Sequence, residues 1–146
     1  MEFVTTGDGS KTLYNAEIGE CYHSKHGAVQ ESRHVFIKTG LDHYVKTTGA
    51  KEVSILEVGF GTGLNFLQTA DFLRDKSLRV EYVGIEGFPL SLSTIAATGY
   101  EATVAQTVWA DYLDTYERAL KEHVEVSVWS SECSSFWGEP TLHPHL

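Results

Sequence analysis

Ser54-Ile55-Leu56-Glu57-Val58-Gly59-Phe60-Gly61-Thr62-Gly63-Leu64-Asn65-Phe66 decides the fold of this 146-residue chain. It reads as a short apolar strand, a glycine-dense turn and the first turn of a helix. The three glycines have separate mechanical uses. One permits the sharp strand-to-helix turn, one lets a ligand approach bare backbone, and one lets the helix pack close to the sheet. Asn65 and the free N–H groups of the opening helical turn then face whatever sits above the loop.

A dinucleotide fingerprint requires G-x-G-x-x-G, and Leu64 stands where its third glycine belongs. The spacing present is G-x-G-x-G, with Glu57 two residues ahead of Gly59. That pattern resembles motif I of the class I S-adenosylmethionine-dependent methyltransferases, in which the acid after the first strand helps hold the cationic methionine end of the cofactor. The bland alternative is a glycine-rich turn with no ligand, and three spaced glycines carry a backbone entropy cost that such a turn has no need of. A second stretch, Arg79-Val80-Glu81-Tyr82-Val83-Gly84-Ile85-Glu86, reads as another apolar strand. It ends in a carboxylate about 23 residues past Gly63, near the spacing of a ribose-binding acid. Such a carboxylate can accept both ribose hydroxyls.

Composition sets the outer bounds. At 42% hydrophobic and 21% charged residues the chain is an ordinary globular domain with one core. No apolar run is long enough to span a bilayer and the amino terminus has no secretory core, so a cytoplasmic location is expected. Cys21 and Cys133 are the only cysteines and read as free thiols. Cys21, His23 and His26 form a C-x-H-x-x-H pattern without a fourth ligand, so no metal site is expected. A net charge of -9 argues against nucleic-acid binding through the overall field, while leaving room for a local basic patch. Lys25, Arg33, Lys38 and Lys46 are the local basic cluster, with a solvated face as its ordinary use.

Along the chain, Phe3 to Tyr14 predicts a hairpin around Asp8-Gly9. Val29 to Thr39 predicts a helix stopped by Gly40, followed by a polar link over 46–51. A helix is expected from Asn65 to Lys76, another from Pro89 to Thr98 and a third from Asp111 to Glu122. Val124 to Trp129 alternates like a strand. Strand alternating with helix implies a parallel sheet with helices on its faces. Residues 130–146 show no period. This gives an N-terminal hairpin-and-helix extension over 1–48, a Rossmann-like α/β half-domain over 49–129 and an irregular tail over 130–146.

Two stretches point past the superfamily. Glu20 to Phe36, with Tyr22-His23-Ser24, Glu31-Ser32 and Val35-Phe36, then Gly40-Leu41, is similar to the segment ahead of the fold in the MnmD proteins and the amino-terminal half of MnmC. The loop Gly59 to Phe66 and the run Glu86 to Leu90 share that similarity, which covers roughly residues 3 to 95. The resemblance implies a class I methyltransferase fold, incomplete at its C-terminal end. It implies methyl transfer from S-adenosylmethionine to the aminomethyl nitrogen of 5-aminomethyl-2-thiouridine at the tRNA wobble position. It assigns Glu57, Gly59, Phe60, Gly61, Gly63, Asn65, Glu86, Tyr22 and Ser24 to the cofactor and Glu31 and Ser32 to the substrate. It further implies an FAD-dependent oxidoreductase supplying the aminomethyl intermediate. A half-sheet leaves strand edges unpaired, so self-association through that edge is expected. The family's Asp-Ala-Phe-x-Pro motif is absent, so no catalytic residue is assigned. The rival readings are a non-catalytic S-adenosylmethionine-binding module and a methyltransferase for another substrate.

Overall fold

The computed structural model describes residues 1–121, and the backbone of a strand over 126–130. Two three-stranded sheets and the helices between them make up the fold. The first sheet is an antiparallel meander of β1 (Glu2–Thr5), β2 (Lys11–Asn15) and β3 (Glu20–Cys21). The hairpin expected at its start is present, with Thr5 opposite Lys11, so Thr6 to Ser10 form a longer turn than Asp-Gly alone signals. Gly9 takes the left-handed conformation that the turn needs, at φ 82°.

A long helix follows. Three segments, Ala28–Glu31 (α-helical), Ser32–Asp42 (π-helical) and His43–Thr48 (α-helical), join through residues in right-handed helical conformation and form one rod, α1. The expected stop at Gly40 is therefore wrong. Gly40 lies within the π segment, and the chain turns only at Gly49, whose φ of 69° allows its amide to reach the Val45 carbonyl at 2.9 Å. At the other end, Gly27 offers no side chain to cap the helix. The hairpin turn supplies the cap from a distance: the amides of Ala28, Val29 and Gln30 donate to Thr6 Oγ1, Ser10 Oγ and Asp8 Oδ2 at 3.3, 3.3 and 2.9 Å. Partial burial pushes the Asp8 carboxyl up. Hydrogen bonds from Ser10, Thr6 and the Gln30 amide outweigh it and hold the group well below the usual carboxylate range.

The second sheet contains β4 (Glu52–Val58) and β5 (Arg79–Ile85), parallel and in register from Glu52 opposite Arg79 to Val58 opposite Ile85. Helix α2 (Leu64–Leu73) makes the crossover between them. After β5 come a short helix α3 (Leu92–Ala96), a 3₁₀ turn (Tyr100–Thr103) and α4 (Gln106–Lys121). The helix expected from Pro89 begins later, because Ser91 caps it by accepting from the Thr94 amide. The helix expected from Asp111 begins earlier, at Gln106. Strand β6 (Val126–Ser130) pairs antiparallel with β5, which corrects the expectation of an all-parallel sheet. Alternating hydrophobicity predicts a strand but not its direction. The expected tail beyond Ser130 lies outside the described residues.

One hydrophobic cluster joins the two sheets. It runs from Leu13, Val29 and Leu41 through Leu64, Leu67 and Phe66 to Val80, Tyr82, Tyr112 and Tyr116. Helices cover one face of the β4–β5 pair. On the other face Leu56 and Val58 are 65% and 77% exposed, so among the described residues the helices do not flank the sheet on both sides as expected. No helix of the described residues is long and apolar enough to cross a membrane.

Candidate cofactor pocket

The C-terminal ends of β4 and β5 and the start of α2 meet at the glycine loop. Gly59, Gly61 and Gly63 all have positive φ, at 84°, 57° and 67°, so each supplies a turn that other residues resist. Their surroundings differ. A side chain at Gly63 would strike the Tyr112 hydroxyl and the Phe60 ring, which lets α2 and α4 approach closely. At Gly61 an added Cβ would lie 2.7 Å from the Tyr22 ring, so that aromatic packs on bare backbone. At Gly59 an added Cβ would meet nothing within 4 Å, and this is the glycine open to a ligand. The Gly59 and Phe60 amides pin the loop to the Ile85 carbonyl at 2.8 and 3.1 Å.

A cavity of about 350 Å³ opens beside this loop, walled by Gly59, Phe60 and Gly61, by Glu57 and Asn65, and by Glu31, Ser32 and Phe36 of α1. Tyr22 and His23, in the bend that follows β3, close it from the N-terminal side. Glu57 accepts from Asn65 Nδ2 at 2.9 Å and from the Tyr82 hydroxyl at 2.7 Å. Burial pushes the Glu57 carboxyl above its ordinary range. The two hydrogen bonds oppose that shift and the nearby Glu86 charge adds to it. The walls thus hold two carboxylates, Glu31 and Glu57, and no lysine or arginine. Burial holds the His23 imidazole below its ordinary pKa against the pull of Glu31, so at neutral pH it is uncharged. An anionic cavity with aromatic walls suits a cation.

Glu86 comes from the end of β5 to the same loop without lining the cavity. Its Oε2 accepts from the Gly61 amide at 2.8 Å and its Oε1 from the Phe88 amide at 3.0 Å. A carboxylate offers about four acceptor positions, so two remain for a pair of hydroxyls. Ser24 is turned away: its hydroxyl accepts from the His26 amide at 3.1 Å, and its own amide donates to Glu31 Oε2 at 2.9 Å. Gly63 likewise serves packing rather than the cavity wall. Ser32 is 2% exposed, and its hydroxyl has no hydrogen-bond partner among the described residues although it lines the cavity.

His23 and Phe36 line the cavity without having been assigned to it from sequence. His23 Nε2 lies 3.3 Å from Thr62 Oγ1 of the glycine loop, a contact across 39 residues that no local pattern encodes.

The fold has a counterpart in a solved structure. Over 62% of this chain and 30% of its own, the crystal structure of MnmC2 from Aquifex aeolicus superposes with a TM-score of 0.55 at 37% sequence identity. The chain is a homologue of MnmC. The bifunctional tRNA 5-methylaminomethyl-2-thiouridine biosynthesis protein MnmC of Methylobacillus flagellatus is 38% identical over 87 residues, which is 57% of this chain and 13% of that protein. The protein of the same name from Aromatoleum aromaticum is 35% identical over 116 residues, 75% of this chain and 18% of its own. The chain thus spans less than a fifth of the length of these MnmC relatives, between 13% and 18%. No protein-family model matches it.

Proposed function

We propose that the chain is a methyltransferase domain that binds S-adenosylmethionine in the acidic cavity and acts on the modified wobble uridine of tRNA in the cytoplasm. The observation that carries this reading is the cavity itself: two carboxylates, no fixed cation, and bare backbone at Gly59 on a glycine loop. The MnmC likeness supports the tRNA substrate. Glu57, with Asn65 fixing its orientation, would hold the cationic methionine end. Glu86 keeps acceptor capacity for the ribose hydroxyls, and the unpartnered Ser32 hydroxyl is available to a ligand polar group.

S-adenosylmethionine supplies an already activated methyl group, so the chain must chiefly align the reactants and exclude water. Glu31 sits at the cavity with Oε2 on the Ser24 amide, which holds its carboxylate in place to orient a substrate amine. Transfer of tritiated methyl to tRNA lacking the modification tests the reading, and incorporation above a no-protein control is expected. A chain that binds S-adenosylmethionine without transfer would be a binding module.

A further inference from the structure

A second, larger cavity of about 770 Å³ lies on the other side of α1, between that helix, the hairpin turn and the 3₁₀ turn. Its volume suits a ligand of nucleotide scale. Lys11, Arg33, His34 and Lys38 line it. Of the eleven Lys and Arg residues in the chain, five form ion pairs, namely Lys46, Arg74, Arg79, Arg118 and Lys121. The other six have no carboxylate partner among the described residues, and Lys11, Arg33 and Lys38 are three of them.

Arg33 is also fixed in place. Its Nε donates to Gln68 Oε1 at 2.7 Å and its Nη2 donates to the Thr103 carbonyl. Both acceptors are neutral, so the guanidinium is oriented without being compensated. The one acid on the lining, Asp8, spends its oxygens on the Thr6 and Ser10 side chains and the Ser10 and Gln30 amides. The groove is thus a positive patch in a chain of net charge -9. A negative net charge disfavours polyanions on average, so a phosphate backbone needs a local cluster of uncompensated cations such as this one.

We propose that this groove binds the sugar-phosphate backbone of RNA, with Arg33 as a fixed fork and Lys11 and Lys38 as flexible contacts. The choice of RNA as occupant rests on the tRNA reading above; the anion site itself rests on the cations. The groove is tied to the acidic cavity through the fold. The Tyr100 hydroxyl donates to the Lys11 carbonyl at 3.0 Å and lies 3.3 Å from Thr62 Oγ1, which in turn lies 3.3 Å from His23 Nε2 on the cavity wall. RNA held in the groove would present a neighbouring nucleotide across α1.

The test follows binding of an unmodified RNA stem-loop to the 146-residue chain by fluorescence anisotropy over a series of KCl concentrations, with inorganic phosphate as competitor. The variant Lys11→Glu/Lys38→Glu is expected to lose about tenfold in affinity at low salt and to lower the salt slope by about 2. The charge-matched variant Lys51→Glu/Lys76→Glu, also on exposed lysines, is expected to stay within about threefold. Equal loss in both variants, no RNA binding, or phosphate binding without RNA binding would each overturn the proposal. A parallel titration with S-adenosylmethionine separates the two readings. Cofactor binding without RNA binding sinks the groove alone, and RNA binding through the groove without cofactor binding sinks the cofactor reading alone.

Discussion

The two cavities share a wall and have opposite chemistry. Glu31, Ser32 and Phe36 of α1 face the acidic cavity, while Gln30, Arg33, His34 and Lys38 of the same helix face the basic groove. A helix presents different faces at neighbouring positions, so one short stretch serves both. Their supports differ as well. The acidic cavity is built on a strand–loop–helix unit in which packing leaves no room for a side chain at Gly61 or Gly63, while Gly59 stays open. The basic groove leans on a hairpin turn held to the helix start by hydrogen bonds. The first is expected to be stiff and intolerant of substitution, the second to yield gradually.

The largest expected effect comes from breaking the stiff side. Gly63→Ala places a methyl group against the Tyr112 hydroxyl and the Phe60 ring at φ 67°, with an expected loss of about 2–4 kcal/mol in a thermal or urea melt. A loss below about 0.5 kcal/mol would show that the loop is not over-determined. On the groove side, Asp8→Ala removes a carboxylate that caps α1 and braces the turn. About 1–2 kcal/mol of stability should go with it. Because the Asp8 pKa is depressed in the folded chain, its contribution is present above the ordinary aspartate pKa and fades as pH falls toward the folded value. A melt series in which wild type and Asp8→Ala converge as pH falls is the expected result; parallel curves would remove Asp8 from the account.

Glu57 carries the opposite sign. Its pKa is raised in the folded chain, so the unfolded state binds fewer protons in the window above the ordinary glutamate value, and stability drops as pH rises through it. Cofactor affinity should rise through the same window as the carboxylate ionises, and a calorimetric pH series checks this crossing of trends. The smallest effect belongs to Ser32→Ala. Removing a buried hydroxyl without a partner should leave stability of the free chain unchanged or raise it by up to about 1 kcal/mol, while weakening the ligand that it serves in the cavity. A clear loss of stability would mean that the hydroxyl has a structural partner.

Much of the acidic cavity was legible in the sequence because its chemistry is local. Glu57, Gly59, Phe60, Gly61 and Asn65 lie within nine residues, and strand and helix periods flank them. The groove was not, since Lys11 and Lys38 are brought together only by the folding of the hairpin turn onto the start of α1. The basic cluster read from sequence joined Arg33 and Lys38 to Lys46, which instead pairs with Asp42 at 2.5 Å. Gly40 misled for a related reason. A glycine is a helix stop only where φ is positive, and that conformation occurs at Gly49. Alternation over Val124 to Trp129 predicts a strand, but its direction is visible only in the pairing with β5.

Titration calorimetry of S-adenosylmethionine into the wild-type chain and into Glu57→Gln tests the central claim most directly. The substitution keeps the size of the side chain and an acceptor for Asn65 while removing the charge. Saturable binding by the wild type and a loss of about ten- to a hundredfold in the variant is the predicted result. Equal affinity in the two chains, or no binding by the wild type, would contradict it.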